Sequence, residues 1–454
     1  MQSWRHWHLA IVIVVLGIDP GQTSAQEPTI RKQSDSNQSF LDNGQIRLGV
    51  DLSRGGSIGY LADAQTGENV VNVHDFGRWI GQSYYAGPKP FGMAHPAWKD
   101  WPWNPVSAGD VYGHASEIVE TTNDGKVLYV KSIPRQWALR NVAAECIFET
   151  WISLSGRTAQ VRNRLTNRRS DQITYPALDQ ELPALYTIGK LHRLLTYTGD
   201  DPFTDQATQE IPKKPAVDGR PHWNTFFATE HWAALVDEHD WGLGLIHPGV
   251  VRFLGGFYGS QTAGGPRDDS TGYLAPIRQE ILDHNIVYEY RYVLVLDTLP
   301  NIRAVARQLR PEVTGPDDRF THNRQHWWTV NVPDSGTPFA GHWHLQLERD
   351  DPQLIGPEGH WQARDVPRLF IRGAWKTRQN TAELFWETAA TPGFSGKQTV
   401  SIPVIPDGQM RTYEVHLAQH PQYRGVIRRL RFDPVAQGHA GDTVDLEFVS
   451  AKPK

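Results

Sequence analysis

The sequence is poor in sulfur, with one cysteine and three methionines in 454 residues. A lone Cys146 cannot close an internal disulfide, and no thiolate metal cluster can form around it. It sits in the apolar-flanked run Glu145-Cys146-Ile147-Phe148. That setting suits a buried structural thiol, because a nucleophilic one needs basic, accessible surroundings. Stability must come from core burial, which a chain of this length supplies easily, in two domains. Charge of one sign is also missing. The net charge is −5 with acids and bases interspersed, which argues against a nucleic-acid partner, since such proteins carry a basic excess. The sequence holds no HExxH helix, no GxSxG elbow and no phosphate loop, so no metal and no cofactor is expected. Helical periodicity is scarce.

No apolar run is long enough to span a bilayer. Residues 9–16 are apolar but short, follow a basic start and precede Thr23-Ser24-Ala25. This is the pattern of a secretory signal peptide over residues 1–25. Residues 26–37 are expected to be disordered. With no cysteine at the cleavage point, a lipid anchor is not expected. The mature protein is predicted to be soluble, monomeric, without a membrane partner, and secreted or periplasmic.

Tryptophan, tyrosine and glycine are abundant instead, with 17, 15 and 40 copies, on a period-two pattern. Residues 46–52, 126–131, 146–154, 156–167, 232–236, 242–246 and 286–296 read as strands separated by turn residues. One short helix is predicted over 301–309, stopped by Pro311. The class is all-β: a large antiparallel sandwich over 38–310, a linker over 311–324, and a second domain over 325–454. In the second domain, eight strand candidates (326–332, 341–347, 368–372, 382–386, 398–403, 410–417, 427–432 and 443–449) have the count and spacing of a jelly roll.

The chemistry-bearing residues fall in four stretches. Residues 101–114 hold Trp101, Trp103, Asn104, Asp110, Tyr112 and His114 between prolines and glycines. Indole faces beside polar partners suit a sugar, whose C–H faces stack and whose hydroxyls need hydrogen bonds. Arg78, Gln82, Tyr84 and Tyr85 form a second polar cluster, in which Arg78 can grip a carboxylate bidentately. Trp137 is a further stacking platform or a core residue. In residues 175–186, Asp179 and Glu181 are two apart and share one face of an extended chain. Flanking Pro176, Leu182 and Pro183 would desolvate Glu181 and suit it to act as a general acid. Glu230, at the head of a strand near His222, is the second acid/base candidate, and Asp110 the third. Gly255-Gly256 and Gly264-Gly265 read as mobile loop glycines, a candidate lid.

The run Ala-Glu-Leu-Phe-Trp-Glu-Thr at 382–388, with Ile-Pro-Asp-Gly at 405–408, Tyr-Glu-Val-His-Leu at 413–417, Tyr-Arg-Gly-Val-Ile at 423–427 and Leu-Arg-Phe-Asp-Pro at 430–434, resembles the jelly-roll accessory modules of secreted bacterial carbohydrate enzymes. The first domain is similar in layout to the galactose-mutarotase-like supersandwich superfamily. That superfamily includes sugar epimerases, parts of glycoside hydrolases and phosphorylases, and polysaccharide lyases that also end in a jelly roll. No catalytic motif of any of these families aligns, so no catalytic residues are carried over. The resemblance implies a β-supersandwich followed by a jelly roll, and a poly- or oligosaccharide as partner. The leading expectation is a glycoside hydrolase working through Glu181 with Glu230 or Asp110. A polysaccharide lyase using Tyr84, Tyr85 or His114 with Arg78 is the alternative, and a non-catalytic glycan-binding protein the third reading.

Overall fold

A computed structural model describes residues 37–87, 94–99, 101, 103–215, 222–260, 262–312 and 315–453. The predicted signal peptide and nearly all of the segment 26–37 lie outside them. Two broad antiparallel sheets build the first sandwich. The nine-stranded sheet runs, in spatial order, Gln209–Glu210, Arg193–Thr196, Trp232–Val236, Trp241–Ile246, Val287–Thr298, Thr158–Asn167, Cys146–Ser155, Val127–Ile133 and Glu117–Asn123. The seven-stranded sheet runs Asn224–Phe227, Arg252–Tyr258, Thr271–Glu280, Leu178–Ile188, Gly81–Ser83, Pro105–Val106 and Arg135–Gln136. Alternation decides which side chains fill the space between them. In Thr158–Asn167 the residues Ala159, Val161, Asn163, Leu165 and Asn167 are buried while their neighbours are more accessible, the period-two signature of one covered face. A three-stranded sheet, Gln38–Asp42, Ile46–Asp51 and Ser57–Asp63, adds Leu41, Ile46, Leu48, Val50, Ile58 and Leu61 to the same core. Cys146 is buried in this core.

The helix Leu299–Gln308 opens with Pro300 in its first turn, where the missing N–H costs nothing. Its Leu299, Ile302 and Ala306 pack on Trp232, Ala234, Val236, Ile246 and Val295, covering part of the outer face of the nine-stranded sheet.

The second sandwich has its own core, in which Trp327, Trp343, Trp375 and Trp386 are almost wholly buried. All eight predicted strands of this half are present, and Gln353–Ile355 and Trp361–Gln362 add to them. Asp317–Arg319, inside the stretch expected to be linker, forms a strand on Thr443–Ser450. The two sandwiches meet through buried charge: Arg324 bonds Asp283 of the first at 2.6 and 3.1 Å and Asp334 of the second at 2.6 Å. Gly255 and Gly256 are not in a loop. They lie within the strand Arg252–Tyr258.

Candidate active site

The seven-stranded sheet turns one face to the main core, and the other carries a cleft of about 850 Å³. The strand Leu178–Ile188 supplies its centre. Gln180 points inward and is fully buried, while Asp179 and Glu181 border the cleft. The ladder stays in register as far as Glu181, then shifts between Glu181 and Leu185 on one side and Glu181 and Ala184 on the other. Pro183 has no N–H to give to the ladder, and the bulge it enforces aims the neighbouring side chain out of the sheet plane.

Tyrosines surround Glu181. Tyr273 Oη donates to Glu181 Oε1 at 2.6 Å, and the hydroxyls of Tyr85 and Ser83 act on the same carboxyl, favouring its charged form. Burial pushes the Glu181 carboxyl above the ordinary range, outweighing the hydroxyl donors that pull it down. The same burial, with the Glu181 charge nearby, raises the phenols of Tyr85 and Tyr273 well above their usual value, and that of Tyr186 as well. These tyrosines are therefore held as neutral donors.

The floor is apolar. Ala184, Tyr273, Ala275 and Ile277 are buried there, with Tyr186, Trp223 and Leu254 packed on them. Trp223 and Tyr186 each lie 4.8 Å from Tyr273 between ring centroids. On the opposite wall Trp98 meets Trp101 edge-on at 4.4 Å and Trp137 at 6.0 Å, and Tyr85 meets Trp101 at 5.6 Å.

Charge at the rim is tied up. Arg78 bonds Asp269 at 2.7 Å and lies 3.3 Å from Asp75. Arg252 clasps Asp179 at 2.5 and 2.9 Å and reaches Glu358 of the second sandwich at 3.1 Å. Glu358 also pairs with Arg429. Among the described residues, the charged ones bordering the cleft are Asp75, Arg78, Asp179, Glu181 and Arg252.

The cleft thus brings together Arg78, Gln82, Tyr85, Trp101, Asn104, Trp137 and Glu181 from the sequence candidates. Two of them are partly committed elsewhere. Gln82 donates to Glu149 O and Thr150 Oγ1, both at 3.0 Å. Asn104 donates to Ser83 and Tyr84, and its Oδ1 is buried without a partner.

The remaining candidates are elsewhere. Asp110 is completely buried and accepts from Tyr112 N, His114 N, His114 Nδ1 and Asn141 N at 2.6–2.9 Å. It closes its own turn, as Asx side chains do. Gly109 precedes it with φ +150°, where a Cβ would lie 2.2 Å from the His114 carbonyl oxygen. His114 is bound to Asp110 by that contact, and Tyr112 lies under the Arg140 guanidinium at 4.2 Å. Tyr84 is buried among Phe148, Tyr288 and Tyr290 and donates to Gln82. Trp103 belongs to the main core. His222 is exposed and does not border the cleft. Glu230 has no exposed side-chain surface. It is bound by Arg303 at 2.8 Å twice, by Trp232 Nε1 at 3.0 Å and by Phe203 N at 2.7 Å, so it anchors the helix to the nine-stranded sheet. Sequence reasoning missed Trp98, Tyr186, Trp223, Tyr273 and Arg252. The strand carrying Tyr273 is interrupted by Gly272 and Pro276, which hid its alternation.

No family model and no curated protein matches the chain. Solved structures do. A galactose mutarotase-like protein from Lactobacillus casei is 13% identical over 57% of this chain and 99% of its own, with TM-score 0.37. Another from Clostridium acetobutylicum is 8% identical over 58% of this chain and 95% of its own, with TM-score 0.37. A Paenibacillus xanthan lyase is 9% identical over 91% of this chain and 51% of its own, with TM-score 0.32. Identities this low carry no residue roles across.

Proposed function

We propose that the protein is carbohydrate-active, binding a saccharide in this cleft and hydrolysing a glycosidic bond with Glu181 as the proton donor. The observation that carries the reading is a single desolvated carboxyl, bonded by Tyr273 at 2.6 Å, at the centre of a tryptophan-walled cleft. A carboxyl whose protonated form is favoured by burial is suited to protonate a leaving oxygen. Asp179 supplies the second carboxylate. It lies two residues away on the same face, roughly 7 Å along the strand, and a bidentate pair with Arg252 holds it in place. Trp98, Trp101, Trp137 and Trp223 offer stacking surfaces.

Charge favours a neutral sugar. Among the described residues bordering the cleft, Arg78 is paired with Asp75 and Asp269 and Arg252 with Asp179 and Glu358, which leaves no unpaired cation there for a uronate. This speaks against a lyase, as does the raised affinity of Tyr85 for its proton, because a lyase base must be free to lose one.

The test is a screen of neutral and uronate-containing polysaccharides, following reducing ends and ultraviolet-absorbing unsaturated product in parallel. The expected result is reducing ends from a neutral glycan, lost by about 10²-fold or more in Glu181→Gln. Unsaturated product would replace this reading with the lyase. Saccharide binding with no product of either kind would leave a glycan-binding protein.

A further inference from the structure

Far from any residue bordering the cleft in sequence, the second sandwich carries an unexplained convergence of side chains. Trp343 in the strand Trp343–Gln346 is fully buried. Its neighbours His342 and His344 therefore project from the opposite face. This strand pairs with Thr443–Ser450, with His344 directly opposite Asp445. His344 Nδ1 lies 2.6 Å and His342 Nε2 3.3 Å from the same oxygen, Asp445 Oδ1. One ligand atom from each of the three residues lies within 4.8 Å of the others.

We propose that His342, His344 and Asp445 bind a divalent transition-metal ion of the zinc class. A histidine–aspartate hydrogen bond needs one imidazole, whereas two imidazoles closing on one carboxylate oxygen form a cation's donor set. Zinc bonds of about 2.0–2.1 Å in a tetrahedron set neighbouring donors roughly 3.3 Å apart. The His342–Asp445 contact already has that length, and the His344–Asp445 contact needs to open by about 0.7 Å. Two imidazoles with one carboxylate favour Zn²⁺, Co²⁺, Ni²⁺ or Cu²⁺ over Ca²⁺ and Mg²⁺, which take oxygen shells. The three side chains keep 34, 39 and 32% of their surface accessible. On the other side of Asp445 the register partner is Ala374, whose methyl leaves room for water as a fourth ligand. Among the described strands, Trp343–Gln346 pairs with Thr443–Ser450, and an isolated bridge ties its Leu345 to Asp334. The metal would pin this strand and add to the stability of the folded state by mass action.

The full chain, stripped with a chelator and desalted, is titrated with Zn²⁺ by calorimetry and with Co²⁺ by visible absorption. His342→Ala, His344→Asn and Asp445→Asn are compared with His416→Ala, a surface histidine of the same half. One ion should bind per chain in the micromolar range. Each of the three variants should weaken it by about tenfold or more, while His416→Ala leaves it unchanged. Excess Ca²⁺ should not compete. Circular dichroism checks folding, and His342, just outside the strand, decides the matter if a strand variant does not fold. No saturable binding up to millimolar Zn²⁺, or binding that His342→Ala leaves intact, would overturn the assignment.

Discussion

Glu230 is the carboxylate whose reassignment from chemistry to architecture can be tested hardest. Its side chain has no exposed surface, and four bonds at 2.7–3.0 Å tie it to Arg303, Trp232 and Phe203. Glu230→Ala leaves the guanidinium without its counter-charge. Breaking a buried pair in this way costs about 3–5 kcal/mol. Arg303 keeps 14% of its side-chain surface in water and still donates to Gln206 O at 2.6 Å, so the lower end, about 3 kcal/mol, is expected. Unfolding entropy is about 2.1 cal/mol/K per residue, hence about 0.6 kcal/mol/K for a lobe of roughly 270 residues, and the midpoint should fall by about 5 °C. The pH dependence has a definite sign. Burial raises the Glu230 carboxyl, but Arg303, Trp232 Nε1 and Phe203 N overcome this, and the net shift is downward. A depressed folded pKa stabilises above the unfolded value of 4.5 and loses that contribution as pH falls. The deficit of Glu230→Ala should therefore shrink as the solution is acidified below that point. Thermal and urea unfolding of the variant across pH, with glycan turnover measured on the folded fraction, is the assay. Unchanged stability with turnover abolished would refute the structural reading and return Glu230 to the chemistry.

Glu181→Gln should behave oppositely. The Glu181 carboxyl is raised by burial, so its ionisation opposes folding as pH climbs above the unfolded value; the variant should match the wild type in acid and become the more stable of the two toward neutral pH, seen as a crossing of thermal midpoints. Trp101→Ala should weaken saccharide binding by roughly 1–1.5 kcal/mol, about five- to tenfold in Kd, by fluorescence titration, with little change in the unfolding midpoint. Arg324→Ala strips the buried partner of Asp283 and Asp334; a loss of about 3–5 kcal/mol in denaturant unfolding is expected, with both sandwiches destabilised together.

Much of the fold was legible because alternation writes a covered face into sequence. The eight strands expected in the second sandwich follow from it, while the short strands Asp317–Arg319, Gln353–Ile355 and Trp361–Gln362 do not. Alternation also explains one error at the site. Tyr84 and Tyr85 were equally attractive as neighbours, yet consecutive residues face opposite ways, so Tyr84 went to the core and Tyr85 to the cleft. Gly255 and Gly256 were read as loop residues on composition. The strand needs them because a Cβ at Gly255 would lie 2.8 Å from Tyr273 O, and one at Gly256 3.2 Å from the Trp223 ring. The pairing of Glu230 with Arg303 was beyond reach, since 73 residues separate them and no local pattern joins them. Asp179 and Glu181 were readable because their relation is local: two residues apart, one face, beside prolines.

The alternating chain Asp179–Arg252–Glu358–Arg429 runs across the seam between the sandwiches. By sequence the second half is a cassette that recombination could exchange at the linker. By charge it is not interchangeable. A substituted cassette lacking the counterpart of Glu358 would leave Arg252 with a single carboxylate and shift the field over Asp179. Lineages that shuffle such lobes would have to rewrite both sides of the seam together.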